Sequence, residues 1–198
     1  LRTRRQRQMC IRDRTNDNAV RLLANTIATG AGLFVLITAF ANISGAHLNP
    51  FVSLSMYLTK RIKGKELLTF IPAQILGCLL GVMLANVFFE HSIIELSTKN
   101  RDGFHIFLSE IVATFGLIFI IFATLKDGKT TVAACVATYI SAGYWFTSST
   151  SFANPAVAIA RTFTDSFTGI NYLNTPTYIF AELLGAIVAI YIIKRLIK

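Results

Sequence analysis

Charge is scarce in this chain. Asp, Glu, Lys and Arg make up 15% of its 198 residues, against 54% for the hydrophobic types, and the mean hydropathy is +0.57. A soluble core of this size does not require so much apolar surface, so much of it faces lipid, and the chain reads as an all-α integral membrane protein. Cysteine is nearly absent: Cys10, Cys78 and Cys135 are odd in number and scattered, two of them inside apolar runs. That excludes a disulfide framework and a zinc spacing, and no cofactor or metal is expected. Histidine is confined to His47, His91 and His105, with no His-x-x-x-His pair and no Ser/His/Asp trio in sight. An intramembrane enzyme would require such a nucleophile, base or ligand set on facing spans, so no enzyme is expected. Acidic residues are outnumbered 10 to 19, giving a net charge of +9. The basic residues form no stripe interleaved with aromatics, and positive loops flanking apolar spans are the ordinary membrane pattern, so nucleic acid is not an expected partner.

What is abundant is apolar run. Five occur, at 19–40, 67–89, 106–125, 131–146 and 177–193. Each approaches the ~20 residues that a helix needs to cross ~30 Å of hydrocarbon, the fourth being a little short. The segments after the first, third and fifth runs hold Lys60, Arg61, Lys63, Lys65, Lys126, Lys129, Lys194, Arg195 and Lys198; those after the second and fourth hold only Lys99, Arg101 and Arg161. The positive-inside rule then puts the C-terminus in the cytoplasm, as a multi-pass protein of the cell (inner) membrane. Seven Arg from Arg2 to Arg21 fall on the wrong side. Six lie in "LRTRRQRQMCIRDR", which has neither apolar periodicity nor a signal-peptide core. The expected division is therefore an Arg-rich segment at 1–15, foreign to the fold or a disordered basic tail, followed by a channel-like domain at 16–198.

Two segments between the runs are alike. "SGAHLNPFVSLSMYL" follows the first run and "SFANPAVAIARTF" the fourth, and each sets Asn-Pro at the head of a short apolar stretch. The pairs Asn49-Pro50 and Asn154-Pro155 are 105 residues apart, and "AQILG" (73–77) matches "AELLG" (181–185) at an offset of 108. This is a repeat of three spans plus one short helix, and the odd number of crossings inverts one copy relative to the other. The second copy has all three spans. The first has two, so five full spans stand where six are expected, with an N-terminal helix missing where the Arg-rich stretch lies. Asn is among the best N-caps and Pro is favoured at the first helical position, so each motif starts a helix. A stretch of about 10 residues cannot span; it re-enters and stops near the midplane. Two such half-helices head to head place two positive dipole ends and two Asn amides at the centre, which repels cations and orients neutral hydrogen-bonding molecules.

With these motifs the chain resembles the aquaporin (major intrinsic protein) family over about residues 16–198. The resemblance implies six tilted helices and two half-helices around one pore per subunit, in a homotetramer, passing water and small neutral solutes. It makes Asn49, Pro50, Phe51, Asn154 and Pro155 the pore centre. Glu110 becomes the buried glutamate that receives hydrogen bonds from the second loop, and His47 a pore-side residue of the first. The departures matter as much. Where the family has a filter Arg three residues after the second Asn, this chain has Val157; Arg161, one helical turn farther, is expected to line the pore or support its loop. Counting back by the family's spacing puts the other filter positions at Thr29, Ala142 and Ser151. Such a filter is uncharged and wide, similar to that of bacterial aquaporins associated with arsenic detoxification, and implies polyols, arsenous acid or methylated arsenicals as solutes. Phe51, where Ala is usual, either packs outward or narrows the centre. Tyr144 and Trp145 read as interfacial belt residues, and Gly30, Gly77, Gly81, Gly116 and Gly185 as points of close helix approach. The alternatives are a secondary transporter with broken helices, for which Glu110, Glu182 and Gln74 would be ion-site candidates, and a non-functional channel fragment.

Overall fold

The computed structural model describes residues 17–196, and every regular element among them is helical. The Arg-rich stretch 1–15, and with it the expectation that a first helix is missing there, lies outside the described residues. Helix α1 (Asn18–Phe40) is capped by the Asp17 carboxylate, which accepts from the N–H groups of Ala19 and Val20. It is followed by the short α2 (Pro50–Leu58), then α3 (Gly64–Phe88) and α4 (Phe104–Thr124). Next come α5 (Lys129–Phe146), the short α6 (Pro155–Ala160) running into a 3-10 turn at Arg161–Phe163, and α7 (Thr175–Leu196). The five expected spans are α1, α3, α4, α5 and α7. Four of them are long and apolar enough to cross a membrane. The fifth, α5, has 18 residues with Lys, three Thr, Ser and two Tyr among them, which lowers its hydropathy below that of the others. At ~1.5 Å per residue the nine residues of α2 and six of α6 reach only partway across a bilayer.

The packing follows the inverted repeat. α1 lies along α5, α2 packs on α3, and α6 packs on α7. The most extensive contact is between α4 and α7, where Gly185 permits close approach: a Cβ there would fall 3.0 Å from the Phe115 nitrogen and closer still to the Ile111 carbonyl. Ala113, Ile118 and Phe122 from α4 meet Ala186 and Ala189 from α7 in the main apolar core. α3, the counterpart of α7, is different. Asn86 is its one buried residue, while Leu68 and Phe88 are 77% and 70% exposed. A Cβ at Gly77, which the repeat equates with Gly185, would meet no atom of another element within 4 Å.

The loops at the end of the molecule beyond α6 are tied together. The Arg101 guanidinium donates to the carbonyls of Gly169 (2.9 Å) and Phe167 (2.8 Å). Asp165 accepts from the Thr98 N–H (2.9 Å) and from the Thr98 and Ser97 hydroxyls. The Ile170 N–H donates to the Arg161 carbonyl at 3.2 Å, which fixes the backbone just past α6.

Candidate pore

Each short helix begins as its sequence dictates. The Asn49 side-chain oxygen accepts from the Phe51 N–H (2.9 Å), and that of Asn154 from the N–H groups of Ala156 (3.1 Å) and Val157 (3.4 Å). The remaining amide atoms cross over: Asn49 Nδ2 donates to the Ala153 carbonyl (2.6 Å) and Asn154 Nδ2 to the Leu48 carbonyl (2.9 Å). One N–H of each Asn is thereby committed to the opposite loop, so each has one donor for a passing molecule, not the two that capping alone would leave. The loops match in backbone as well. Leu48 and Ala153, one residue before each Asn, and Ala46 and Ser151, three before, all have positive φ of 48–50°. For non-glycine residues this is strained backbone, and its recurrence at the same places in both copies marks the loops as held by their surroundings.

The second loop is held by carboxylates. Glu110, fully buried on α4, accepts from the N–H groups of Phe152 (2.9 Å) and Ala153 (2.8 Å). Glu182 on α7, also fully buried, accepts from the Asn154 N–H (2.9 Å). Three successive backbone donors, those of Phe152, Ala153 and Asn154, thus end on two acidic side chains from neighbouring helices. The sequence singles out Glu182 and its repeat partner Gln74 only as ion-site candidates of a transporter; in the structure Glu182 holds the loop. The first loop uses neutral groups. His47 Nδ1 is 3.1 Å from the Ser53 hydroxyl, to which Gln74 Nε2 donates at 2.9 Å, and the His47 ring meets the Phe70 ring edge-on at 5.4 Å between centroids.

A cavity of about 200 Å³ runs past both Asn side chains. Its apolar walls are stripes at helical spacing: Thr29, Leu33 and Ile37 on α1, and Val132, Val136, Ile140 and Tyr144 on α5. Of the sequence-derived site residues, the structure brings Thr29, His47, Asn49, Ser151, Asn154, Val157 and Arg161 together on this cavity. Pro50 and Pro155 are buried as the first residues of their helices, and Glu110 lies behind the second loop. Phe51 is buried and absent from the cavity wall, so it packs away from the lumen.

Two corrections concern the outer end. Ala142 is exposed and does not line the cavity; Tyr144 does. Two residues of helix turn the chain by about 200°, so a lumen-facing 144 puts 142 on the far side. The stripe 132-136-140-144 was the signal that identifies Tyr144, and it takes precedence over the belt assignment. The second correction is that the outer end is not uncharged. Arg161 reaches the same cavity from one turn beyond Val157, with its guanidinium stacked 4.1 Å from the centre of the Phe152 ring. Its Nη2 donates to the Tyr144 hydroxyl at 3.5 Å, and that hydroxyl is 3.1 Å from the hydroxyl of Thr29.

These features, two Asn-capped half-helices crossed at one cavity within an inverted helical repeat, agree with what known proteins show. The family profile described as major intrinsic protein matches residues 5–148. Aquaglyceroporin AqpS of Rhizobium meliloti (strain 1021) is 45% identical over 184 residues, covering 93% of this chain and 79% of that protein. Aquaporin-4 of Bos taurus and of Homo sapiens are 27% and 26% identical over 83% of the chain, which spans about half (53%) of their length. The chain belongs to the major intrinsic protein family of aquaporin membrane channels, which are not enzymes.

Proposed function

We propose that this chain forms a passive pore for water and uncharged solutes of glycerol size, and that arsenous acid and methylated arsenicals are among the solutes it admits. The observation that carries the reading is the cavity threaded between Asn49 and Asn154, where each Asn keeps one free amide donor and faces largely apolar walls. A hydrated cation would lose its shell there and meet two helix N-termini, whereas a neutral molecule with oxygen acceptors is oriented by the donors. Val157 in place of a long cation at that position leaves width for solutes larger than water, and the 45% identity to a protein named an aquaglyceroporin supports the same solute class. Glu110 and Glu182 are engaged by loop N–H groups, which fits a structural task better than ion coupling.

The same reading places the pore in the inner membrane with a cytoplasmic C-terminus, as a homotetramer with one pore per subunit. It also gives the bare face of α3 a helical cover equivalent to α4, because its repeat partner α7 is covered by α4 through Gly185 and Gly77 lies at the matching position. Stopped-flow light scattering on proteoliposomes tests the solute assignment. Glycerol and arsenous acid should enter faster than into protein-free vesicles, down their gradients and without ion current; equal rates would overturn it.

A further inference from the structure

A second cavity, of about 470 Å³, opens at the end of the molecule beyond α6, where α1 begins and the connections 89–103 and 164–174 meet. No residue lines both it and the cavity between the Asn side chains. Its polar walls include Arg21 from the first turn of α1, His91, Lys99 and Arg101 from the connection after α3, and Asp165 and Ser166 from the connection before α7. Arg21, Lys99 and Arg101 are each half-buried, and like charges brought together partly out of water repel one another. Among the described residues none of the three is ion-paired; the one side-chain ion pair, at 2.8 Å, joins His91 Nδ1 to Glu95. Asp165, the carboxylate on the wall, is committed to the Thr98 N–H and to the Ser97 and Thr98 hydroxyls, and Lys99 attracts it from beyond ion-pair distance. Arg21 Nε is buried and has no hydrogen-bond partner among the described residues. A buried charged donor without an acceptor is costly, and an acceptor brought by a ligand removes that cost.

The basic groups are also held in place. The Gly169 and Phe167 carbonyls fix Arg101 and take two of its five N–H donors. The Asn171 N–H fixes the backbone of Lys99 by donating to its carbonyl at 2.8 Å. We infer that this cavity binds a phosphate-class oxyanion, either inorganic phosphate or the phosphate of a lipid headgroup, which fastens the start of α1 to the two connections. Three cations against one engaged carboxylate leave an excess of positive charge for an anion to neutralise. Tetrahedral oxygens diverge, so one such group serves Arg21, Lys99 and Arg101 on separate walls, and each guanidinium offers it paired donors. A carboxylate, planar and with two oxygens, would leave one of the three unserved. Arg21 stands at the end of a membrane-length helix, where lipid headgroups and water meet, so the phosphate can arrive from either side.

The test follows thermal unfolding of the delipidated chain in dodecyl maltoside, a detergent without phosphate, and so does not depend on whether the chain conducts. Sodium phosphate is titrated against sodium chloride at equal ionic strength, and phosphatidylglycerol against a neutral glycolipid. At least one phosphate source should raise the unfolding temperature in a saturable way, while chloride and the glycolipid do not. Arg21→Gln and Lys99→Gln should each raise the half-saturating concentration of that source about tenfold, the worth of one charge-assisted hydrogen bond, and either variant stands in should the other fold poorly. Lys126→Gln, just past the far end of α4, should leave it unchanged. Saturation by inorganic phosphate assigns the ligand to the solution, and saturation by phosphatidylglycerol alone assigns it to the membrane. No stabilisation beyond the controls by either source, an unchanged half-saturating concentration in both site variants, or an equal weakening by Lys126→Gln overturns the site.

Discussion

Replacing Glu110 by Ala removes both oxygens that hold the second Asn-Pro loop. The N–H groups of Phe152 and Ala153, now bonded at 2.9 and 2.8 Å, would be left in a buried site without acceptors. An orphaned buried donor costs about 1–3 kcal/mol, so the substitution should destabilise the protein by about 2–6 kcal/mol. Glu110→Gln keeps one acceptor and turns a donor toward the second N–H, so it should cost about 1–3 kcal/mol, roughly half as much. Equilibrium unfolding in mixed detergent micelles measures both, and faster hydrogen exchange at amides 152 and 153 would localise the loss. An Ala variant within about 0.5 kcal/mol of the parent, the range of an ordinary surface change, would refute the claim that this carboxylate anchors the loop.

Val157→Arg should set a second guanidinium beside Arg161 in the cavity and lower glycerol flux much more than water flux in the same vesicles; an unchanged ratio would mean that residue 157 does not border the path. Gly185→Leu should cost about 1–3 kcal/mol or more, because the added Cβ meets backbone atoms of Ile111 and Phe115 that cannot step aside. If α3 is covered as proposed, Gly77→Leu should be comparably costly in the assembled channel, and a cost below about 0.5 kcal/mol would reject the cover. Desolvation pushes the Asp165 carboxyl up, but the Thr98 N–H, the Lys99 charge and the Thr98 and Ser97 hydroxyls outweigh it and hold the group below its usual range. Its contribution is therefore complete above the unfolded carboxylate pKa of about 3.9 and lost only as the pH falls through the lower folded value. Protection of the Thr98 amide should accordingly persist through neutral and mildly acidic pH and be lost in Asp165→Asn; a loss near neutrality would contradict that assignment.

The parts of the pore that were legible in the sequence are those whose chemistry is local. Asn followed by Pro starts a helix wherever it stands, so Asn49 and Asn154 announced both half-helices, and their spacing exposed the repeat. The role of Glu110 came from the family resemblance, with which the cost of an unpartnered carboxylate in an apolar run agrees. Tyr144 was missed because its position was counted through a connection whose length no local rule fixes, although its own i, i+4 stripe carried the information. Arg161 was expected at the pore from its place one turn past Val157, but the Phe152 ring on which it rests belongs to the loop before α6 and could not be read from the sequence. The pairing of each Asn amide with the opposite loop was equally out of sight, since it exists only once the copies meet. The weak hydropathy of α5 has its explanation in the fold: one face lies on α1 and another lines the cavity.

The account stands or falls on whether the cavity between Asn49 and Asn154 is a conducting path for neutral molecules. Stopped-flow light scattering of proteoliposomes, with membrane current recorded on the same preparation, measures this directly. The prediction is glycerol and water permeability above that of protein-free vesicles with no accompanying current. Solute entry no faster than through bare lipid, or entry that requires a proton or sodium gradient, would contradict it.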